Sequence, residues 1–177
     1  MKTINMVYIS IFAALIAICS WISIPATIPF TLQTFAVFLA VALLGGRRGT
    51  LAILVYILLG AIGIPVFAGF SGGLGTLLGT TGGYILGFVF SALVMWLFEH
   101  LFGHKPWALI LSMAIGLVVC YTFGTIWFLF VYLRSSGAVE VTTVLGWCVF
   151  PFILPDCIKM ALAFGLSKIL KRSIKLD

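Results

Sequence analysis

Apolar residues run along this chain in six blocks, each set off by proline, glycine or charge, and the blocks have the length of helices in lipid. Ile4 to Ile24 forms the first, and Pro25 ends it. Pro29 can open the second, which runs to Leu44, and Gly45-Gly46-Arg47-Arg48-Gly49 separates it from a third, Thr50 to Ile62. The alternative, one continuous helix through this break, would leave two arginines at mid-membrane without partners. At 1.5 Å per residue the second and third blocks cover roughly 20 to 25 Å, less than the ~30 Å hydrocarbon core, so they either stand partly behind longer neighbours or thin the bilayer. The fourth block is Gly83 to Phe102 and the fifth Trp107 to Leu133. The sixth begins near Val144, is interrupted by Pro151 and Pro155, and continues to Leu170.

Composition turns this pattern into a membrane protein. The 177 residues are 63% hydrophobic and 8% charged, whereas soluble domains carry about 25% charged residues. There is too little polar surface to coat a soluble domain, and no hydrophilic segment is long enough for a second one, so a single membrane-embedded domain over 1-177 is expected. The predicted fold class is all-α, an integral membrane protein with six transmembrane helices. The apolar stretch of the first block, about 20 residues, is long for a signal peptide and reads as a retained helix.

The formal net charge of +6 does not point to nucleic acid, because the basic residues are scattered singly apart from Arg47-Arg48 and the tail Lys168, Lys171, Arg172, Lys175. It sets topology. With a cytoplasmic N-terminus, Lys2, Arg47, Arg48, Lys105 and the tail lie inside and Arg134 is the only loop cation outside. This N-in/C-in arrangement implies a multi-pass protein of the cytoplasmic membrane, with the lipid bilayer as its surroundings. Three connections then face outward: Pro25 to Thr31, Gly63 to Gly82 and Arg134 to Thr143. The middle one is apolar yet rich in glycine, too flexible for a helix and too greasy for a solvated linker. It is expected to fold back as a lid whose backbone amides can meet a ligand, or as a re-entrant structural loop.

Asp156 and Lys159 are the only oppositely charged pair inside an apolar block. Three residues apart, they share a helix face, and an isolated charge there costs several kcal/mol. From Lys159 to Lys171 is roughly 18 Å of helix, which places the pair in the outer half of the membrane, level with the lid. Asp156 follows Pro155, the expected start of the continuous helix, where free backbone donors and the helix dipole favour a carboxylate. Asp156 can accept N–H donors from a ligand, and Lys159 can meet a ligand carboxylate or hold Asp156 ionised; the residues leave both open, along with a purely structural ion pair that locks the kink. Candidate walls are Phe30, Phe67, Phe70, Tyr84, Trp147 and the lid glycines Gly69, Gly72, Gly73 and Gly82, suited to a compact, largely apolar molecule. Thr31, Gln33 and Thr81 are the candidate polar contacts nearby.

Other chemistries find little support. Cys19, Cys120, Cys148 and Cys157 lie in apolar stretches without CxxC spacing, and Glu99, His100 and His104 do not form HEXXH, so no metal site is expected. No Walker A pattern or GxGxxG occurs, so no ATP hydrolysis is expected. No catalytic residues and no enzyme activity are predicted. Ala13 and Ala17, four apart on the first helix, allow close approach by a partner helix.

Several segments together resemble one family. Pro29-Phe-Thr-Leu-Gln-Thr34, Leu-Leu-Gly45-Gly-Arg-Arg-Gly49, Leu59-Gly-Ala-Ile-Gly-Ile-Pro-Val-Phe-Ala-Gly69, Ser71-Gly-Gly-Leu-Gly75, Thr81-Gly-Gly-Tyr-Ile-Leu-Gly-Phe88 and Leu154-Pro-Asp-Cys-Ile-Lys159 are similar, in colinear order, to the BioY family, the biotin-specific S-components of energy-coupling-factor transporters. The resemblance implies a six-helix S-component fold that binds biotin near its outer face, with the loop after the third helix closing over it. It implies Asp156 and Lys159 as binding residues and Ala13-Ala-Leu-Ile-Ala17 as the docking motif. The implied partners are a transmembrane coupling protein and two ATPase subunits, and the chain itself needs no cofactor, since ATP is used only by those partners. Gly79-Thr-Thr-Gly-Gly stands where the family more often has proline before the second threonine. An S-component for another small vitamin and a stand-alone proton-coupled carrier are the competing readings.

Overall fold

Lipid offers a backbone amide no hydrogen-bond partner, and a helix supplies its own, so the apolar blocks fold as helices. The computed structural model describes residues 3–137 and 139–171; Lys2, Arg172 and Lys175, invoked above for topology, lie outside the described residues. The helices are α1 (Thr3–Trp21), α2 (Gln33–Leu44), α3 (Gly46–Ala61), α4 (Leu74–Leu78), α5 (Gly82–Phe102), α6 (Pro106–Ser136), α7 (Val141–Cys148) and α8 (Phe150–Leu170). Strands β1 (Ser23–Ile24) and β2 (Phe30–Thr31) pair antiparallel, Ser23 opposite Thr31 and Ile24 opposite Phe30. Pro29 therefore sits in a small hairpin rather than opening the second helix. Among the described residues four stretches are long and apolar enough to cross a membrane: Thr3–Trp21, Gly82–Phe102, Pro106–Arg134, and Val141–Leu170 taken through the break between α7 and α8.

The two short helices have different surroundings. In α2 every residue but Phe35 is buried, because α1, α3, α5 and α8 all pack on it. Its shortness leaves no apolar surface mismatched with lipid. α3 buries one face, including Tyr56 and Gly60, and exposes Leu54 and Leu58 on the other.

The break between α2 and α3 is shorter than expected. Gly45, at φ +82°, turns the chain, and Arg47 and Arg48 already belong to the first turn of α3. A partner distant in sequence makes this possible: the Glu99 carboxylate of α5 accepts a hydrogen bond from the Gly46 N–H and satisfies a free donor at the α3 N-terminus. Gly46 needs its missing side chain as well, since a Cβ there would enter Trp96.

The sixth block also differs. It breaks at Val149 (φ −124°, ψ −60°), Pro151 falls in the first turn of α8, and the helix continues through Pro155. Asp156 thus lies within α8 rather than at a helix start, and the dipole argument for its charge does not apply. Proline removes one N–H donor, a local loss that helix packing can absorb within a membrane.

α5 and α6 form the longest seam. Its close approach rests on glycine: a Cβ on Gly83 would run into Trp127, and one on Gly124 into Tyr84.

Candidate ligand-binding site

Beneath the β1–β2 hairpin and the segment between α3 and α5 lies a cavity of about 100 Å³. Its walls come from most of the fold. The hairpin gives Ile28, Pro29 and Thr31, α2 gives Gln33 and Thr34, α6 gives Tyr121, and α8 gives Asp156 and Lys159. Phe67, Tyr84, Phe88 and Phe152 add apolar surface.

The polar cluster is tight. Asp156 is 2% and Lys159 8% exposed. Lys159 Nζ donates to Asp156 Oδ1 at 2.7 Å, and the Tyr121 hydroxyl donates to Asp156 Oδ2 at 2.6 Å. Opposite charges at that distance, both out of water, require each other: removal of either would strand the other. The cluster carries no net charge. Each carboxylate oxygen keeps a free lone pair, and Lys159 keeps donors beyond the one used on Asp156.

The segment over the cavity is folded and anchored. A 3-10 turn at Ala68–Phe70 and a bridge between Phe67 and Ser71 shape its first half, and α4 its second. Ser20 donates to the Val66 carbonyl at 2.5 Å, and the Trp21 indole N–H to the Pro65 carbonyl at 2.9 Å. At the other end the Trp127 indole donates to the Gly79 carbonyl at 3.0 Å. Phe67 reaches the cavity across Gly60, where a Cβ would occupy the space of its ring.

Of the expected residues, Asp156, Lys159, Thr31, Gln33, Phe67, Thr81 and Tyr84 line the cavity. Six others do not. Phe30 stands behind the wall, stacked on Phe152 with ring centroids 4.1 Å apart. Gly69 and Gly73 have positive φ and open space about them, which marks turn positions. Gly72 and Gly82 pack against the carbonyls of Ile64 and Leu77. Phe70 points away, 65% exposed and stacked on Trp21 at 5.2 Å; its φ of 56° turns the bulky side chain outward. Trp147 is likewise exposed and outside the wall.

Ala13 and Ala17 require a correction. They are 2% and 6% exposed and belong to the core, so their face of α1 is already occupied. The exposed face of the helix carries Ser10, Ala14 and Ile18 instead.

Sequence reading missed Tyr121, Thr34, Phe88 and Phe152. Tyr121 was the one with a signal, a phenol inside a long apolar helix, where a buried hydroxyl needs a partner.

Similarities to known proteins extend over nearly the full length. The model of the BioY family matches residues 1–176. The chain is 42% identical over 163 residues to the biotin transporter BioY of Thermotoga maritima, covering 92% of each. To the probable biotin transporter BioY of Pyrococcus horikoshii it is 38% identical over 169 residues, 95% of this chain and 96% of the relative. A crystal structure of the S-component for biotin from an ECF-type ABC transporter matches with a TM-score of 0.85 and 25% identity, over 97% of this chain and 95% of that one.

Proposed function

The chain belongs to the BioY family, and from that premise we propose that it binds biotin and serves its uptake as the substrate-specific component of an energy-coupling-factor transporter. It is not an enzyme. The observation that carries the reading is the neutral trio Asp156, Lys159 and Tyr121 on the wall of an otherwise largely apolar cavity.

Biotin has two polar ends, and charge decides between them. Its ureido ring is neutral, with two N–H donors and a carbonyl, while its valeryl chain ends in a carboxylate. Among the described residues Lys159 is the only cation on the wall, but its charge is already matched by Asp156 at 2.7 Å. A second carboxylate beside them would leave an uncompensated negative charge in a dry site. The ureido ring therefore binds the trio, with Asp156 accepting an N–H and Lys159 donating to the carbonyl. The carboxylate points to the mouth, towards Thr31, Thr76 and Thr81.

The chain crosses the cytoplasmic membrane six times, through α1, α2, α3, α5, α6 and the α7–α8 pair, with both termini inside. Arg47 and Arg48 at the start of α3 line one pocket with Lys171, just past the end of α8, Lys105 precedes α6 and Lys168 lies in the last turn of α8, and none of them borders the cavity, which supports a cytoplasmic position for that end and an outward-facing site. Transport then requires a transmembrane coupling protein and two ATPase subunits. No cofactor is assigned to this chain.

Purified protein in detergent should bind biotin without nucleotide, and cells should accumulate biotin only when the partners are co-expressed. Accumulation by this chain alone, abolished by a proton uncoupler, would point to a carrier instead.

A further inference from the structure

Gln33 is the first residue of α2, and its backbone N–H donates to Thr31 Oγ1 at 3.2 Å. Its side chain reaches the cavity wall at 5% exposure, and its Nε2 donates to the Tyr56 hydroxyl at 2.9 Å. An amide held by its nitrogen presents its oxygen along the other branch. Among the described residues Oε1 has no hydrogen-bond partner, yet it is not one of the buried polar atoms sealed away from open space. As Gln33 is almost wholly enclosed and borders the cavity, the space that Oε1 meets is the cavity.

Tyr56 lies behind this wall. It is fully buried on α3, does not border the cavity, and packs edge-to-face on Phe67 at 5.5 Å and 80°. Its ring supports the covering segment, while its hydroxyl sets the orientation of an amide in the floor.

The chemistry of a cyclic urea gives that amide a purpose. The two N–H bonds flank the carbonyl and diverge, so one carboxylate does not accept both, and a second acceptor is needed away from Asp156. We infer that Tyr56 is a positioning residue for ligand selection: it fixes the Gln33 amide so that Oε1 accepts the second ureido N–H. This rests on the reading that the cavity takes biotin.

Tyr56→Phe keeps the ring against Phe67 and removes only the hydroxyl, so it separates orientation from packing. Calorimetry is run on wild type, Tyr56→Phe, Gln33→Leu and the double variant, with biotin and with its two isomers methylated on one ureido nitrogen. Tyr56→Phe should lower biotin affinity by about tenfold. It should also weaken discrimination against one methyl isomer while leaving the other unchanged, and the double variant should bind no worse than Gln33→Leu alone. Full affinity in Tyr56→Phe, additive losses in the double variant, or unaltered discrimination in Gln33→Leu would each overturn the inference while the proposed function stood. A wild-type protein that bound no biotin would overturn both.

Discussion

The Tyr121 hydroxyl lies 2.6 Å from Asp156 Oδ2, joining the middle of α6 to the first third of α8. Few other contacts link these two helices. A hydrogen bond to a buried charged group contributes about 1.5 to 3 kcal/mol. Tyr121→Phe should therefore lower the melting temperature of ligand-free protein in detergent by several degrees, and an unchanged melting temperature would show that the bond contributes nothing.

Asp156 and Lys159 separate structure from function when removed together. Asp156→Asn or Lys159→Met alone leaves an unmatched buried charge, at a cost of about 3 to 5 kcal/mol, and should weaken biotin binding too. Asp156→Leu with Lys159→Met should restore stability close to wild type but leave no biotin binding. Binding retained by that double variant would mean that the pair is only a structural ion pair.

The exposed face of α1 is the expected partner surface. Ala14 is open on it, whereas Ala13 is packed in the core. Ala14→Trp should leave biotin affinity unchanged and abolish uptake in cells containing the coupling protein and ATPases, while Ala13→Trp should reduce the yield of folded protein. Normal uptake by Ala14→Trp would place docking on another face.

Glycines divide into those under contact and those in the open. A Cβ on Gly83 meets the backbone-fixed Cβ of Trp127, and one on Gly75 meets nothing within 4 Å. Gly83→Ala should cost about 1 to 3 kcal/mol and Gly75→Ala much less, as read from melting temperatures. Equal losses would contradict the close α5–α6 seam.

Legibility in the sequence followed the contrast between a residue and its surroundings. Asp156 and Lys159 stood out because charges are rare in apolar blocks, and the segment over the cavity because glycine and apolar residues seldom alternate in a solvated loop. Tyr121 carried the signal of a phenol in a long apolar helix, which calls for a partner but does not point to α8 as the element that supplies it. The α3 start was obscured for a related reason: Glu99, far along the chain, caps it. On α1 apolar residues occur on every side, so Ala13 and Ala17 could not be told from Ser10 and Ala14 by hydrophobicity, and only packing against α2 and α3 assigns the faces. Phe70 looked like a wall residue by type, but its positive φ, a property of the folded backbone, turns it outward.

Biotin should seat its ureido ring on the neutral polar trio and leave its carboxylate at the mouth. Calorimetric titration of the purified chain, without ATPases or nucleotide, with biotin and with its primary amide tests this most directly. Both should bind, with affinities within about tenfold of each other. A loss of about a hundredfold or more for the amide would place the carboxylate on Lys159 and rule out a ureido ring bound there.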